Sequence, residues 1–153
     1  MRPQYEEAIR VVAKHVAEFG WHCLHVHPNT DAQLPFSYSI GFAESFGQPE
    51  ILVFNQPREK AHSLLSVCAN MFRSGEKIES YQEDGRVLEG AYKVIFRPVA
   101  LHAYGEFLGT AKRYYGGKPF SAVVMFLPDK NHRYPWDEGY DYLDLREALA
   151  IVE

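Results

Sequence analysis

Cysteine is scarce in this chain: Cys23 and Cys68 are the only two among 153 residues. They lie 45 positions apart and neither belongs to a CxxC pair, so no disulfide framework or cysteine-rich metal site can be read from their spacing. A chain of this length has enough core to fold without a disulfide, and the expectation is reduced thiols in the cytoplasm. Long apolar runs are also missing. Nothing approaches the roughly 18 residues that suggest a membrane helix, and "MRPQYEEAIRVV" lacks the apolar core and cleavage site of a signal peptide. Positive charge is not concentrated either. Sixteen Lys and Arg against twenty Asp and Glu give a formal net charge of −4, and without a basic face no nucleic-acid partner is expected. No GxxxxGK[ST] or GxGxxG phosphate loop and no GxSxG nucleophile elbow occurs.

What the chain does have is rings. Ten Tyr, ten Phe and two Trp bring the aromatic fraction to 14%, within an ordinary globular composition of 46% hydrophobic and 24% charged residues. Pro3 suits a first helical turn, and Ala8, Ile9, Val12, Val16 and Phe19 recur at three- and four-residue spacing until Gly20, which predicts an amphipathic helix. "WHCLHVH" predicts a strand with Trp21, Cys23, His25 and His27 on one side and His22, Leu24 and Val26 on the other. "FSYSIGF" alternates apolar residues with Ser37, Ser39 and Gly41, the pattern of a half-buried strand, whereas "ILVFN" is apolar throughout and suits a central strand. Pro57 opens a second helix to about Arg73, with Ala61, Leu64, Leu65, Cys68, Ala69 and Phe72 facing the core. Residues 74–90 read as a loop or weak hairpin, "AYKVIFRPV" and "PFSAVVMFLPD" as strands, residues 101–117 as a helix weakened by Gly105 and Gly109, and "LDLREALAIVE" as a last helix. The predicted fold is a single α+β domain over residues 1–153: a mainly antiparallel sheet of about five strands with flanking helices.

Two stretches invite chemistry. Cys23, His25 and His27 form a candidate metal set, but residues two apart on a strand stand roughly 6.6–7 Å apart. Zinc holds its ligands at about 2.0–2.3 Å. Convergence would need a bend or an outside ligand such as Asp31, His62, His102, Asp129 or His132, so a bare strand is favoured over zinc or another divalent ion and no cofactor is expected. Cys23 beside a histidine is also a formal Cys–His pair, without a sign of the lowered thiol pKa that such chemistry needs. The second stretch is "LPDKNHRYPWDEGYDY". His132, Arg133, Tyr134, Trp136 and Tyr140 collect cation, stacking and hydrogen-bonding groups around a proline turn, which suits a small-molecule pocket or a protein-contact surface. A loop folded back to cap the sheet with Trp136 as a plug accounts for the same residues.

Gly20-Trp21, the run Phe36-Ser37-Tyr38-Ser39-Ile40-Gly41-Phe42, the turn Gly47-Gln48-Pro49-Glu50 and the late Pro128-Asp129 through Tyr134-Pro135-Trp136 resemble, in order and spacing, a bacterial family described only as a domain of unknown function. The resemblance spans most of the chain and implies a small stand-alone bacterial domain, with no established reaction or cofactor. It places Tyr38, Gly41, Pro49, Glu50, Asp129, Pro135 and Trp136 on motif positions and asks only for a strand at Cys23, His25 and His27. The expectation is a cytoplasmic, non-catalytic binding domain that engages a protein partner, in an antitoxin-like or immunity-protein manner, or a small ligand. Tyr38, Glu50, Asp129, Arg133, Tyr134, Trp136 and Tyr140 would form its site. The alternatives are a hydrolase-type enzyme with Glu50 or Asp129 as acid/base and Tyr38, His132 and Arg133 orienting substrate, and metal-dependent chemistry at Cys23, His25 and His27. Convergence of Tyr38, Glu50, Asp129 and Trp136 on one concave pocket would favour a ligand or enzyme site.

Overall fold

A computed structural model describes residues 3–28 and 33–153; Asp31, one of the possible outside ligands, lies outside them. The first helix, α1 (Pro3–Phe19), follows the predicted span. Val12 and Val16 turn inward, whereas Phe19 remains 56% exposed and packs beside the His15 ring. Five strands of five residues follow the apolar runs: β1 (His22–Val26), β2 (Phe36–Ile40), β3 (Glu50–Phe54), β5 (Val94–Pro98) and β6 (Ala122–Phe126). A two-residue strand, β4 (Glu83–Asp84), joins them from the stretch read as a weak hairpin. The six form one sheet in the order β1-β2-β3-β6-β5-β4. Every neighbouring pair is antiparallel except β3 and β6, which run parallel. The architecture is the expected α+β domain.

The sheet is covered on both faces. Phe36, Tyr38, Ile40, Leu52, Phe54, Val124 and Phe126 pack on one side, against α1, α5 (Gly109–Tyr115) and the C-terminal 3-10 turns of Leu143–Ile151. Ile51, Val53, Val94, Phe96, Val123 and Met125 pack on the other, under α3 (Arg58–Arg73), whose Ala61, Leu64, Leu65, Cys68, Ala69 and Phe72 are all buried as predicted. This double cover corrects one expectation: β2 is buried at all five positions and not half-exposed. Ser37 and Ser39 tolerate burial because each has a partner. Ser37 Oγ lies 2.7 Å from His25 Nδ1, and Ser39 Oγ donates to Glu50 and accepts from the Ile51 amide. Two other differences are local. The turn after β2 contains a short helix, α2 (Phe42–Phe46). The helix foreseen over 101–117 is broken at Leu108 into a 3-10 turn, α4 (Tyr104–Phe107) and α5, with Gly109 opening the second piece. The last segment also winds as 3-10 turns instead of an α-helix.

Candidate functional site

The residues on the motif positions do not meet in one pocket. Tyr38 is 1% exposed, deep in β2, with its hydroxyl 3.4 Å from the Ala111 amide. Glu50 is wholly buried at the start of β3. Its Oε1 accepts from Ser39 Oγ at 2.8 Å and the Phe42 amide at 3.1 Å. Its Oε2 accepts from the Gly41 and Ala43 amides, both at 3.1 Å, and from the Tyr115 hydroxyl. The carboxylate thus stitches β3, the entry to α2 and the end of α5 together. Burial pushes its pKa up, against the pull of Tyr115 and the amide donors, and burial together with the adjacent Glu50 charge raises Tyr115 as well. Gly41 belongs to this hub: it holds φ +121°, and a Cβ there would stand 2.7 Å from the Gly20 carbonyl oxygen.

Asp129 performs a comparable task at the other end of the strands. It is 1% exposed and accepts from the amides of Asn131 and Arg133 at 2.9 Å, the Asp141 amide at 3.1 Å and Arg133 Nε at 3.1 Å. Burial pushes its carboxyl upward, but the hydrogen bonds from Arg133, Asp141 and Asn131 outweigh burial and hold the pKa below its ordinary value. The loop of residues 129–141 is folded around this side chain. Tyr134 and Tyr140 are buried beneath it, their hydroxyls donating to the carbonyls of Lys93 and Leu127. His132 takes a left-handed φ of 63° and stacks on Tyr92, centroids 4.7 Å apart. Trp136 is 39% exposed, lies flat on Tyr134 and carries the Arg97 guanidinium over its ring at 5.1 Å. It therefore combines both sequence readings, partly plug and partly surface.

The histidine-rich strand does not assemble as a cation site. Cys23 Sγ and His25 Nε2 approach to 3.7 Å, but His27 Nε2 turns away to Arg58, at 3.2 and 3.3 Å. His22 faces α1, where its Nδ1 meets His15 Nδ1 at 2.7 Å. Among the described residues no group of three or more His, Cys, Asp or Glu is placed to hold a metal ion. Burial pushes the Cys23 thiol up to about 12, the reverse of an activated nucleophile. Burial, helped by His15 and His25, lowers His22 to about 4.

A cleft that the sequence did not reveal opens where the parallel strands end. Its volume is about 730 Å³. Asn55 and Gln56 continue from β3, with Lys60 one turn into α3; Leu127, Pro128, Asp129 and Lys130 continue from β6. The chain leaving β3 enters α3 on one face of the sheet, while the chain leaving β6 reaches Leu143–Ile151 on the other. Carboxyl ends of parallel strands whose continuations part in this way leave a crevice, the usual ligand position in open sheets with helices on both faces. Leu88, Glu89 and Tyr92 close one side, and Tyr142 and Leu145 the other. Asn55, exposed in the cleft lining, sits in the left-handed region at φ 53°. Of the site residues expected from sequence, Asp129 alone lines this cleft, as a buried support, although Leu127, Pro128, Lys130 and Tyr142 of the same "LPDKNHRYPWDEGYDY" stretch line it too. The rest come from segments with no shared local spacing, so no sequence pattern joins them.

The sequence model of the family described as "Domain of unknown function (DUF4262)" matches residues 15–141, from the second half of α1 to the end of the Asp129 loop. No curated protein and no solved structure matches the chain. The chain belongs to the DUF4262 family.

Proposed function

We propose that this member of the family is a binding domain that holds a small molecule in the cleft at the carboxyl ends of β3 and β6. The carrying observation is the cleft's position: the parallel strands β3 and β6 end there, and their continuations separate to opposite faces. The volume falls within the range of small-ligand sites. The lining supports a flat, acidic ligand, since Tyr92 and Tyr142 offer rings, Asn55 and Gln56 offer amides, and Lys60 and Lys130 face Glu89 alone once Asp129, the other acidic lining residue, is taken up by Arg133 and backbone amides. Glu50 and Asp129 support the binding reading over the acid/base one, because each has its oxygens occupied by internal donors. The reading puts the protein in the reducing bacterial cytoplasm, in keeping with two unpaired cysteines and no helix among the described residues long and apolar enough to cross a membrane.

Protein-observed NMR with a fragment set of aromatic carboxylates tests the reading. Amide shifts clustering on Asn55, Leu88, Tyr92, Lys130 and Tyr142, and abolished in a Lys60→Glu/Lys130→Glu variant that still folds, are expected. Shifts that cluster elsewhere, or none at millimolar fragment, would discard it in favour of a protein partner.

A further inference from the structure

A second hollow, of about 300 Å³, lies on the α1 side of the sheet and shares no lining residue with the cleft just described. Its wall is aromatic. Phe36 at the start of β2, Phe54 at the end of β3 and Phe107 at the end of α4 touch one another, with ring centroids 5.4, 5.5 and 6.1 Å apart. Ala103, Ala148 and Ile151 complete an apolar interior. Its rim is acidic: Glu106 from α4 and Glu147 from the C-terminal turns both line the opening, and His102 and Gln33 are its other polar side chains.

Some surface carboxylates are paired, and others among the described residues, such as Glu18 and Glu59, are not. Glu6, Glu7, Glu76 and Glu83 each have an arginine or lysine within 4.0 Å. Among the described residues Glu106 and Glu147 have no ion pair and no hydrogen bond, and no lysine or arginine lines the hollow. An apolar chamber walled by aromatic rings and rimmed by unpaired negative charge complements one chemical class. Ring faces attract cations electrostatically, the rim does the same, and an anion would meet repulsion from both.

We propose that this hollow is a binding site for a small hydrophobic amine, its apolar body among Phe36, Phe54 and Phe107 and its ammonium between Glu106 and Glu147. The volume stands at the lower end of small-ligand sites, which fits a single ring with a short ammonium arm. The site is separate from the β3–β6 cleft and takes the opposite charge, so either can fail without the other.

Three probes of one shape separate the charge from the shape: 2-phenylethylammonium, 2-phenylethanol and 3-phenylpropionate, each titrated into the full chain and followed by amide shifts and calorimetry. The ammonium should bind at least several-fold more tightly than the alcohol and the carboxylate, with shifts at Phe36, Phe54, Phe107 and Ile151. The exposed Glu106→Gln/Glu147→Gln variant should fold as the parent does and bind the ammonium roughly tenfold more weakly, two partly screened carboxylates being lost, with the alcohol unchanged. Equal affinity for the three probes, shifts away from the three Phe residues, no binding, or an unchanged ammonium affinity in the double variant would each overturn the proposal.

Discussion

Glu50 accepts from five donors, three of them backbone amides that cannot reverse their direction. A glutamine in its place retains one acceptor oxygen but turns an amide NH2 toward at least one of those amides, leaving buried donors facing each other. Unsatisfied buried donors cost about 1–3 kcal/mol each, so Glu50→Gln should lower the unfolding free energy by about 2–4 kcal/mol. Urea unfolding of the two proteins measures it, and a loss under about 1 kcal/mol would mean that the hub is already protonated and tolerant. The Gly-x-Pro-Glu turn marked Glu50 as a binding or acid/base group and not as a structural hub. That distinction depends on Tyr115, 65 positions away, and on the amides of a short helix that composition did not reveal. Cys23, His25 and His27 show the opposite case. Strand spacing alone argued against their convergence, and His27 bonded to Arg58 agrees with it.

At the scale of elements, legibility followed periodicity. Helices α1 and α3 and the five longer strands coincide with their apolar patterns; α3 buries the whole face its spacing defines, whereas α1 buries Val12 and Val16 and leaves Phe19 out. Expectation failed where the decisive neighbour was distant. Serine alternation in β2 looked like a solvent face until α3 covered it, and residues 101–117 looked like one helix until Leu108 was drawn into the core at the break. The loop of residues 129–141 is an element held by one carboxylate, which has a consequence for acid stability. Asp129 is folded with its pKa below the unfolded value, about 3.9 for an aspartate. Its stabilisation is therefore complete above the unfolded pKa and disappears as pH falls through the folded one. The wild type should lose stability from near pH 4 downward, and Asp129→Asn should be weaker at pH 7 but flatter across that acid range. Glu50, with a raised pKa, contributes the opposite slope and cannot imitate the effect. Denaturant midpoints from pH 7 to 3 compare them, and parallel curves would remove Asp129 from the account.

For the whole molecule, the six-stranded sheet is sealed unevenly. Its middle, β2, β3 and β6, is buried at every position, while β1 at one edge is half-exposed throughout and pairs on one side only. The cleft follows from this same arrangement: it gathers residues from 55–60, 88–92, 127–130 and 142–145, which meet because β3 and β6 lie side by side. No window of sequence contains that adjacency, so the cleft could not be read before the topology. The two thiols sample the uneven seal directly. Cys68 is fully buried in α3 against the sheet, and Cys23 is partly buried on β1. Burial pushes both up to about 12, so neither reacts readily while folded. Opening an edge strand requires less free energy than global unfolding. Iodoacetamide labelling at pH 8 should therefore modify Cys23 first, with weak dependence on urea, and Cys68 later, with a urea dependence that matches global unfolding. Labelling of the two at one rate and with one urea dependence would show that β1 does not open on its own, and the sheet would then have to be treated as a single cooperative unit from edge to edge.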